Sequence, residues 1–561
     1  MSISYGRLLT VCLISLTILQ STACVSAEPG SWISRTFTAD IKGSSCNGDN
    51  TLGASDKALF WGTRFAYVYD AGTGGWYGKG PTADIKFGWV TSYGGPALIF
   101  GDAFAYAYDE AIHSWVGTST PGTVKFVGGA KWGLPMVWGD NFVCVYDPGD
   151  HAWHKKGTSG LLMGGDASTD LSYVYGSNFG YVYDKSTRLW YSFTTPSTIL
   201  VTSVRYRTFL VWGARFAKVY SQDTHAWYNK STTANILYGT AKSEMAIISG
   251  ARFAYVWDRF DHAWHGKGTT NDITYRNVYD DLAMICALRE AYIYDRLIHS
   301  WVGKGTTADI ALSGLGAGVA VICAGSAAYA YDPGLHSWKG KGTPGAIGKL
   351  TCGTDLALIG PAATSWVYAY DTHDHSWHGK GTPAAVAGLD NYPPWGMGIV
   401  YGSTYAYAYD TSDHAWHGKA SSGTIFGGLS NHQLGLVWGS NFAYAYDRPT
   451  RKWIGKGTPT LIVWPGISLD NGDLAYVLCS NYVCITVSGS GMWYGKGTSE
   501  TIKVVSAQDD LYLVVCSNVA YVFDASDRTY HGKGLTGIVF GGATPSFAYI
   551  HNLKTVHIYQ T

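Results

Sequence analysis

Charge is scarce in this chain and nearly balanced: 40 Lys and Arg face 40 Asp and Glu in 561 residues, and charged residues make up only 14%. Such a balance gives no electrostatic case for nucleic acid or an anionic surface as partner. Glutamate is rarer still, at Glu28, Glu110, Glu244, Glu290 and Glu500, which weakens a glycosidase built on a glutamate pair while leaving aspartate pairs open. No Cys-x-x-Cys pair with zinc spacing, phosphate loop, nucleophile elbow or His-Glu-x-x-His stretch occurs. Beyond the amino terminus no run approaches the ~18 uninterrupted apolar residues of a membrane helix, so the mature chain is expected to have no transmembrane segment.

The first 27 residues read as an export signal rather than as fold. Arg7 precedes an apolar run over 8–19, and Val25, Ser26 and Ala27 supply the small residues of a cleavage site. Secretion, extracellular or periplasmic, is the expected destination, and Ser21 argues against a lipid anchor at Cys24. Export permits disulfides. However, Cys286, Cys323, Cys479 and Cys516 occupy the strand-end position that Phe100, Trp138, Trp212 or Trp438 fills elsewhere, so they read as small buried hydrophobes. Asn229-Lys230-Ser231 is a glycosylation acceptor if the source glycosylates.

What the chain has in abundance is one unit, seen most clearly as YAYAYDTSDHAWHGK at 405–419. A trailing aromatic marks each copy: Trp32, Trp76, Trp115, Trp153, Trp190, Trp227, Trp264, Trp301, Trp338, Trp377, Trp416, Trp453, Trp493 and Tyr530, mostly 37 residues apart. A period in that range signals a solenoid, propeller or array. Tyr405, Tyr407 and Tyr409 alternate with Ala406 and Ala408, the period of two of a strand, with a bulky face that can stack on a flat one. Each unit supplies four short antiparallel strands, which is one propeller blade, and the fold class is all-β. The ends complete each other: 31–42 matches the tail of a repeat, while the last 25 or so residues hold three strands lacking a fourth. Fourteen whole blades result. A ring that large leaves a wide centre, so two seven-bladed propellers are expected, at 28–298 and 299–561, with interleaved rings as the alternative.

The runs VYDKSTRLWYSFTTP at 182–196 and AYDRPTRKWIGKGTP at 445–459 resemble the kelch repeat, in which an aromatic-Asp pair is followed by Trp about six residues on. The chain departs from kelch in having one Gly where kelch has a doublet, and in its shorter period. The resemblance implies a propeller used mostly for binding. An occasional relative is a secreted copper oxidase, and no residues here match its copper ligands.

Candidate chemistry recurs rather than converges. His stands two residues before Trp at His113, His151, His225, His262, His299, His336, His375 and His414; Lys recurs in the Gly-Lys-Gly turn; Asp closes the aromatic strand. Turn formation accounts for the Asp, solvation for the Lys, and a hydrogen bond to Asp or stacking on Trp for the His. Like positions on different blades lie too far apart to share a metal, so neither metal nor cofactor is expected. Catalysis needs unlike residues converging once, and no catalytic set stands out. The chain therefore reads as a secreted non-enzymatic binding protein. Repeated weak sites favour multivalent, lectin-like recognition of glycans, with candidate contacts His262, Trp264, Lys267, His299, Trp301, Lys304, His336, Trp338, Lys341, His375, Trp377, Lys380, His414, Trp416 and Lys419. The alternatives are an extracellular protein-binding scaffold and a hydrolase or oxidase at a ring mouth.

Overall fold

A computed structural model describes residues 30–46, 56–91, 95–129, 134–242, 244–361, 363, 365–391, 396–468, 473–508 and 510–561. The proposed export signal and Cys24 lie outside them. The described residues form fourteen four-stranded antiparallel sheets and one short 3-10 turn. No described helix is long and apolar enough to cross a membrane.

The sheets follow one another along the chain as blades 1 to 13, at 43–79, 87–119, 126–157, 164–194, 201–231, 238–268, 275–305, 310–342, 347–381, 388–420, 427–457, 462–497 and 504–534. Blade 14 joins three strands at 540–560 to the amino-terminal strand Ser31–Thr36, which pairs antiparallel with Thr555–Gln560, Trp32 opposite Tyr559. Closure of a sheet by both ends of the chain is the expectation drawn from the sequence, and it leaves no open edge at that blade.

Each blade packs on the next through the alternation seen in the sequence. In blade 10, Tyr409 lies against Leu356, Leu358 and Ala369 of blade 9, while Ala406 and Ala408 face Val437 and Tyr446 of blade 11. The same arrangement forms fourteen apolar clusters, one per seam, including one that packs Phe547 and Tyr549 of blade 14 on Ala58, Phe60 and Tyr69 of blade 1. Blade 7 packs on blade 8 through Leu282, Met284 and Ile293 against Ala320, Ile322 and Tyr331. The blades therefore follow in one ring, in place of the expected two rings of seven. The boundary expected at 298/299 falls inside the third-to-fourth strand hairpin of blade 7, between Glu290–Asp295 and Ser300–Gly305.

Within a blade the second and third strands are buried and the fourth is only half-buried. Neighbouring blades approach most closely through their first strands, which sets these at the inner edge and the Trp strands outside. Cys286, Cys323, Cys479 and Cys516 are buried thiols, and none is in a disulfide. Burial pushes the Cys286 thiol up to about 12, so it stays protonated and inert.

Candidate functional site

The repeat concentrates its polar chemistry at the hairpin joining the third and fourth strands. The Asp that ends the third strand folds back on its own turn: Asp295 Oδ1 accepts the Leu297 backbone N–H at 2.9 Å, and Asp332 Oδ1 that of Gly334 at 2.9 Å. Turn formation was the expected role. The carboxylate's other oxygen accepts from the His, one of the two roles expected for it, but from the His of the following blade and together with a Tyr the sequence reading missed. Tyr331 Oη donates to Asp295 Oδ2 at 2.7 Å, and His336 Nδ1 meets the same oxygen at 2.8 Å. Tyr370 and His375 converge alike on Asp332, Tyr409 and His414 on Asp371, Tyr294 and His299 on Asp258, and Tyr220 and His225 on Asp184.

Asp258, Asp295 and Asp371 are fully buried, which is tolerable only because every oxygen is matched by a donor. At Asp184, burial alone would raise the carboxyl, but hydrogen bonds from Ser186, Gln222, Tyr220 and His225 outweigh it and hold it below the usual carboxylate range. The tyrosines respond oppositely: desolvation, with the bond to a carboxylate, pushes Tyr331 far above the usual phenol value.

The histidine reaches its acceptor because the chain there turns through the left-handed region. His299, His336 and His414 have φ of 47°, 47° and 54°. That conformation costs a residue with a Cβ, though His is among those that visit it most, and here the bond across the seam offsets the cost. Arg188, Arg451 and Arg528 take the same conformation where His is absent.

The other recurring residues are also engaged across seams. Trp301 Nε1 donates to the His265 carbonyl at 3.4 Å, Trp377 to that of Lys339 at 3.3 Å, and Trp416 to that of His378 at 3.4 Å. Trp264 and Trp338 have no such partner for Nε1. Lys267, Lys304, Lys341, Lys380 and Lys419 place Nζ over Tyr292, Tyr329, Tyr368, Tyr407 and Tyr444 of the next blade, 4.0 to 5.1 Å from the ring centres. The glycines beside these lysines have a packing reason: a Cβ on Gly418 would stand 2.7 Å from the Tyr407 ring, so only glycine lets that ring lie over the strand. Thus the His, Trp and Lys of one repeat do not meet as a triad in a groove. Each is half-buried or exposed and turned toward a neighbouring blade.

His262 is the exception among the histidines, since its Nδ1 has no partner. Blade 5 carries Ser221 where Asp stands elsewhere, and blade 6 carries Trp257 where Tyr stands. Val487 of blade 12 likewise faces Phe523 of blade 13. Gln560 keeps an acceptor and receives Tyr69 Oη at 2.8 Å. Carboxylate and phenol are thus lost together at these two seams, whereas blade 11 keeps Asp447 opposite Thr486 of blade 12, where Ser488 and the Gly489 N–H donate to the carboxylate instead. Arg205 and Arg207 lie on an exposed hairpin of blade 5, Arg207 within 3.6 Å of Asp223.

A different surface appears at the opposite end of the strands, where each first strand begins. Phe87, Phe126, Met163, Leu200 and Leu237 stand out from blades 2 to 6 with 48 to 58% of their surface exposed. Phe426, Trp464 and Val539, 62, 62 and 58% exposed, stand out from blades 11, 12 and 14. Blades 7 to 10 have Thr274, Ala311, Gly348 and Ala387 in the places of Met163, Leu200 and Leu237, and blades 2 and 3 have Lys86 and Lys125 there, with Phe87 and Phe126 one residue further along.

No family model and no curated protein matches the sequence. A solved structure described as the crystal structure of the mitotic checkpoint complex is similar over 43% of this chain and 84% of that one, with 10% identity and a TM-score of 0.22.

Proposed function

We propose that the protein is a non-enzymatic scaffold that binds another protein through the apolar arc on its first strands. The observation that carries this reading is the run of exposed Phe, Met and Leu side chains on five consecutive blades, 2 to 6. Single exposed hydrophobes are ordinary, whereas their recurrence at one end of successive blades favours an interaction surface. Aromatic and Met side chains are also those enriched at interface centres. A kelch-like origin, drawn from the aromatic-Asp and Trp spacing, accords with a binding role. Export, drawn from the pattern in residues 1–27 alone, makes the partner an extracellular or periplasmic protein.

The glycan reading is the second one, favoured by the recurrence of half-buried Trp on the outer strands and of cation-covered Tyr rings on the third strands, which would give many weak sites. A triple variant, Phe87→Ser with Phe126→Ser and Leu200→Ser, separates the two. Affinity capture from an extract of the source, beside a glycan array, is expected to show a partner held by the native chain and lost by the variant at unchanged melting temperature. Identical capture by the variant would refute the protein-binding reading. Array binding abolished by Trp301→Ala and Trp377→Ala would install the glycan one.

A further inference from the structure

Two unlike histidines meet at one seam. His378 lies on the fourth strand of blade 9 (Ser376–Gly381), one residue after Trp377, and its Nε2 contacts Asp374 Oδ2 of its own turn at 2.7 Å. His414 comes from the turn of blade 10, with Nδ1 2.9 Å from Asp371 Oδ2 and 3.7 Å from Asp374 Oδ2. The two imidazoles stack with ring centres 6.1 Å apart. One ligand atom from each of the four residues lies within 4.8 Å of all the others. His378 and His414 occupy different places in the repeat, so the expectation that like positions on different blades cannot share a metal does not apply to them.

We propose that Asp371, Asp374, His378 and His414 form a site for a zinc-class divalent ion that ties blade 9 to blade 10. Zinc bonds to nitrogen and oxygen of about 2.0 to 2.2 Å place tetrahedral ligand atoms roughly 3.4 Å apart. Three of the six separations, 2.7, 2.9 and 3.7 Å, bracket that value, and none of the six exceeds 4.8 Å, so the side chains close on the ion by movements of about 1 Å. Two carboxylates neutralise the dication, and two imidazoles select zinc, cobalt or copper over calcium and magnesium. Outer contacts hold the oxygen ligands in place: Tyr409 Oη donates to Asp371 Oδ2 at 3.0 Å, the His373 N–H to Asp371 Oδ1 at 2.9 Å, and the Ser376 N–H to Asp374 Oδ1 at 3.1 Å. Ser376 Oγ, 2.8 Å from His378 Nε2, is the group the ion displaces. The side chain of Asp374 is 28% exposed and that of His414 40% exposed, which leaves the ion a way in.

The ring contains its own control. At the equivalent seams of blades 3 with 4 and 10 with 11, the place of His414 is taken by Arg188 and Arg451, whose Nε atoms lie 3.4 Å from Asp150 and 3.3 Å from Asp413. A guanidinium cannot ligate, yet it pairs with the acid in the place of Asp374 and fits the same left-handed turn. His414→Arg should therefore fold. Full-length protein stripped with chelator and titrated with Co2+ alone is expected to develop the visible absorption of a four-coordinate site, reversed by Zn2+, and Zn2+ alone should raise its melting temperature. His414→Arg should lose one equivalent of Co2+ and the Zn2+-dependent rise of that seam while matching the native melting temperature without metal. Should His414→Arg misfold, the pair Asp374→Asn with His378→Gln takes its place. Absence of any Co2+ absorption in the native chain, or an unchanged Co2+ stoichiometry in the variants, would overturn the proposal.

Discussion

At the scale of single residues, a buried carboxylate shared between neighbours is what makes the repeat specific. Removing one of its donors leaves an oxygen in the dry interior short of a partner, at a cost of about 1 to 3 kcal/mol. Tyr331→Phe should accordingly destabilise the protein by that amount in urea titrations. A double-mutant cycle with Asp295→Asn should return a coupling on the order of 0.5 to 3 kcal/mol, since the two groups touch. Acid should act through the same groups. Asp184 ionises below its ordinary value of 3.8 in the fold. Its contribution is therefore fully present above the unfolded value and drains away as pH falls through the lower, folded one. Asp184→Asn should start less stable at neutral pH and lose less stability than the native chain between about pH 5 and 2. An equal loss would show that Asp184 carries none of the acid sensitivity. Half of this chemistry was legible in the sequence. The Asp in its turn could be read from the residue type, because Asx turns are local. The bond to the next blade could not be read from one repeat, although a signal was present: Ser221 is followed by Trp257, and Val487 by Phe523, so two losses of the acid are matched one repeat later by loss of the phenol. Among the sequence-chosen residues, His299, His336, His375 and His414 turned out to be bound across seams, because the left-handed turn aims each ring backward along the ring of blades.

The element that matters most is the strand Ser31–Thr36. It was legible because an orphan repeat tail at one terminus and three strands at the other have only one economical pairing. Its side chains bind the last strand as well as its backbone does, with the Trp32 and Tyr559 ring centres 5.6 Å apart and Ser34 Oγ 2.5 Å from His557 Nδ1. Deleting residues 31–36 would leave Thr555–Gln560 with a free row of backbone donors and acceptors, the template on which sheets from separate molecules pair. Sizing chromatography of such a truncation should show dimers and larger species. A monomer with native melting behaviour would show that this strand does not guard the edge. The first strands were legible only as strands. Their exposed Phe and Leu escaped notice because apolar residues in a propeller strand are ordinarily read as core, and the inner edge of a large ring is not crowded enough to cover them.

For the molecule as a whole, the blade number was legible from the period of the repeat, but no residue marked how many circles the blades make. Seams between blades are chemically alike whether a ring holds seven or fourteen, and only the succession of contacts distinguishes them. That succession runs unbroken from blade 1 to blade 14 and back. Calorimetry should therefore give one cooperative transition, and polypeptides 30–298 and 299–561 expressed separately should not each yield a compact monomer. Two transitions, or two well-folded halves, would restore the paired-ring picture. The circle is not uniform, however. The seam between blades 5 and 6 and the seam between blades 12 and 13 lack both acid and phenol. Seven blades separate them on either side, so the two seams without the shared carboxylate lie across a diameter. The hoop is thereby marked at opposite points into two equal arcs of seven blades.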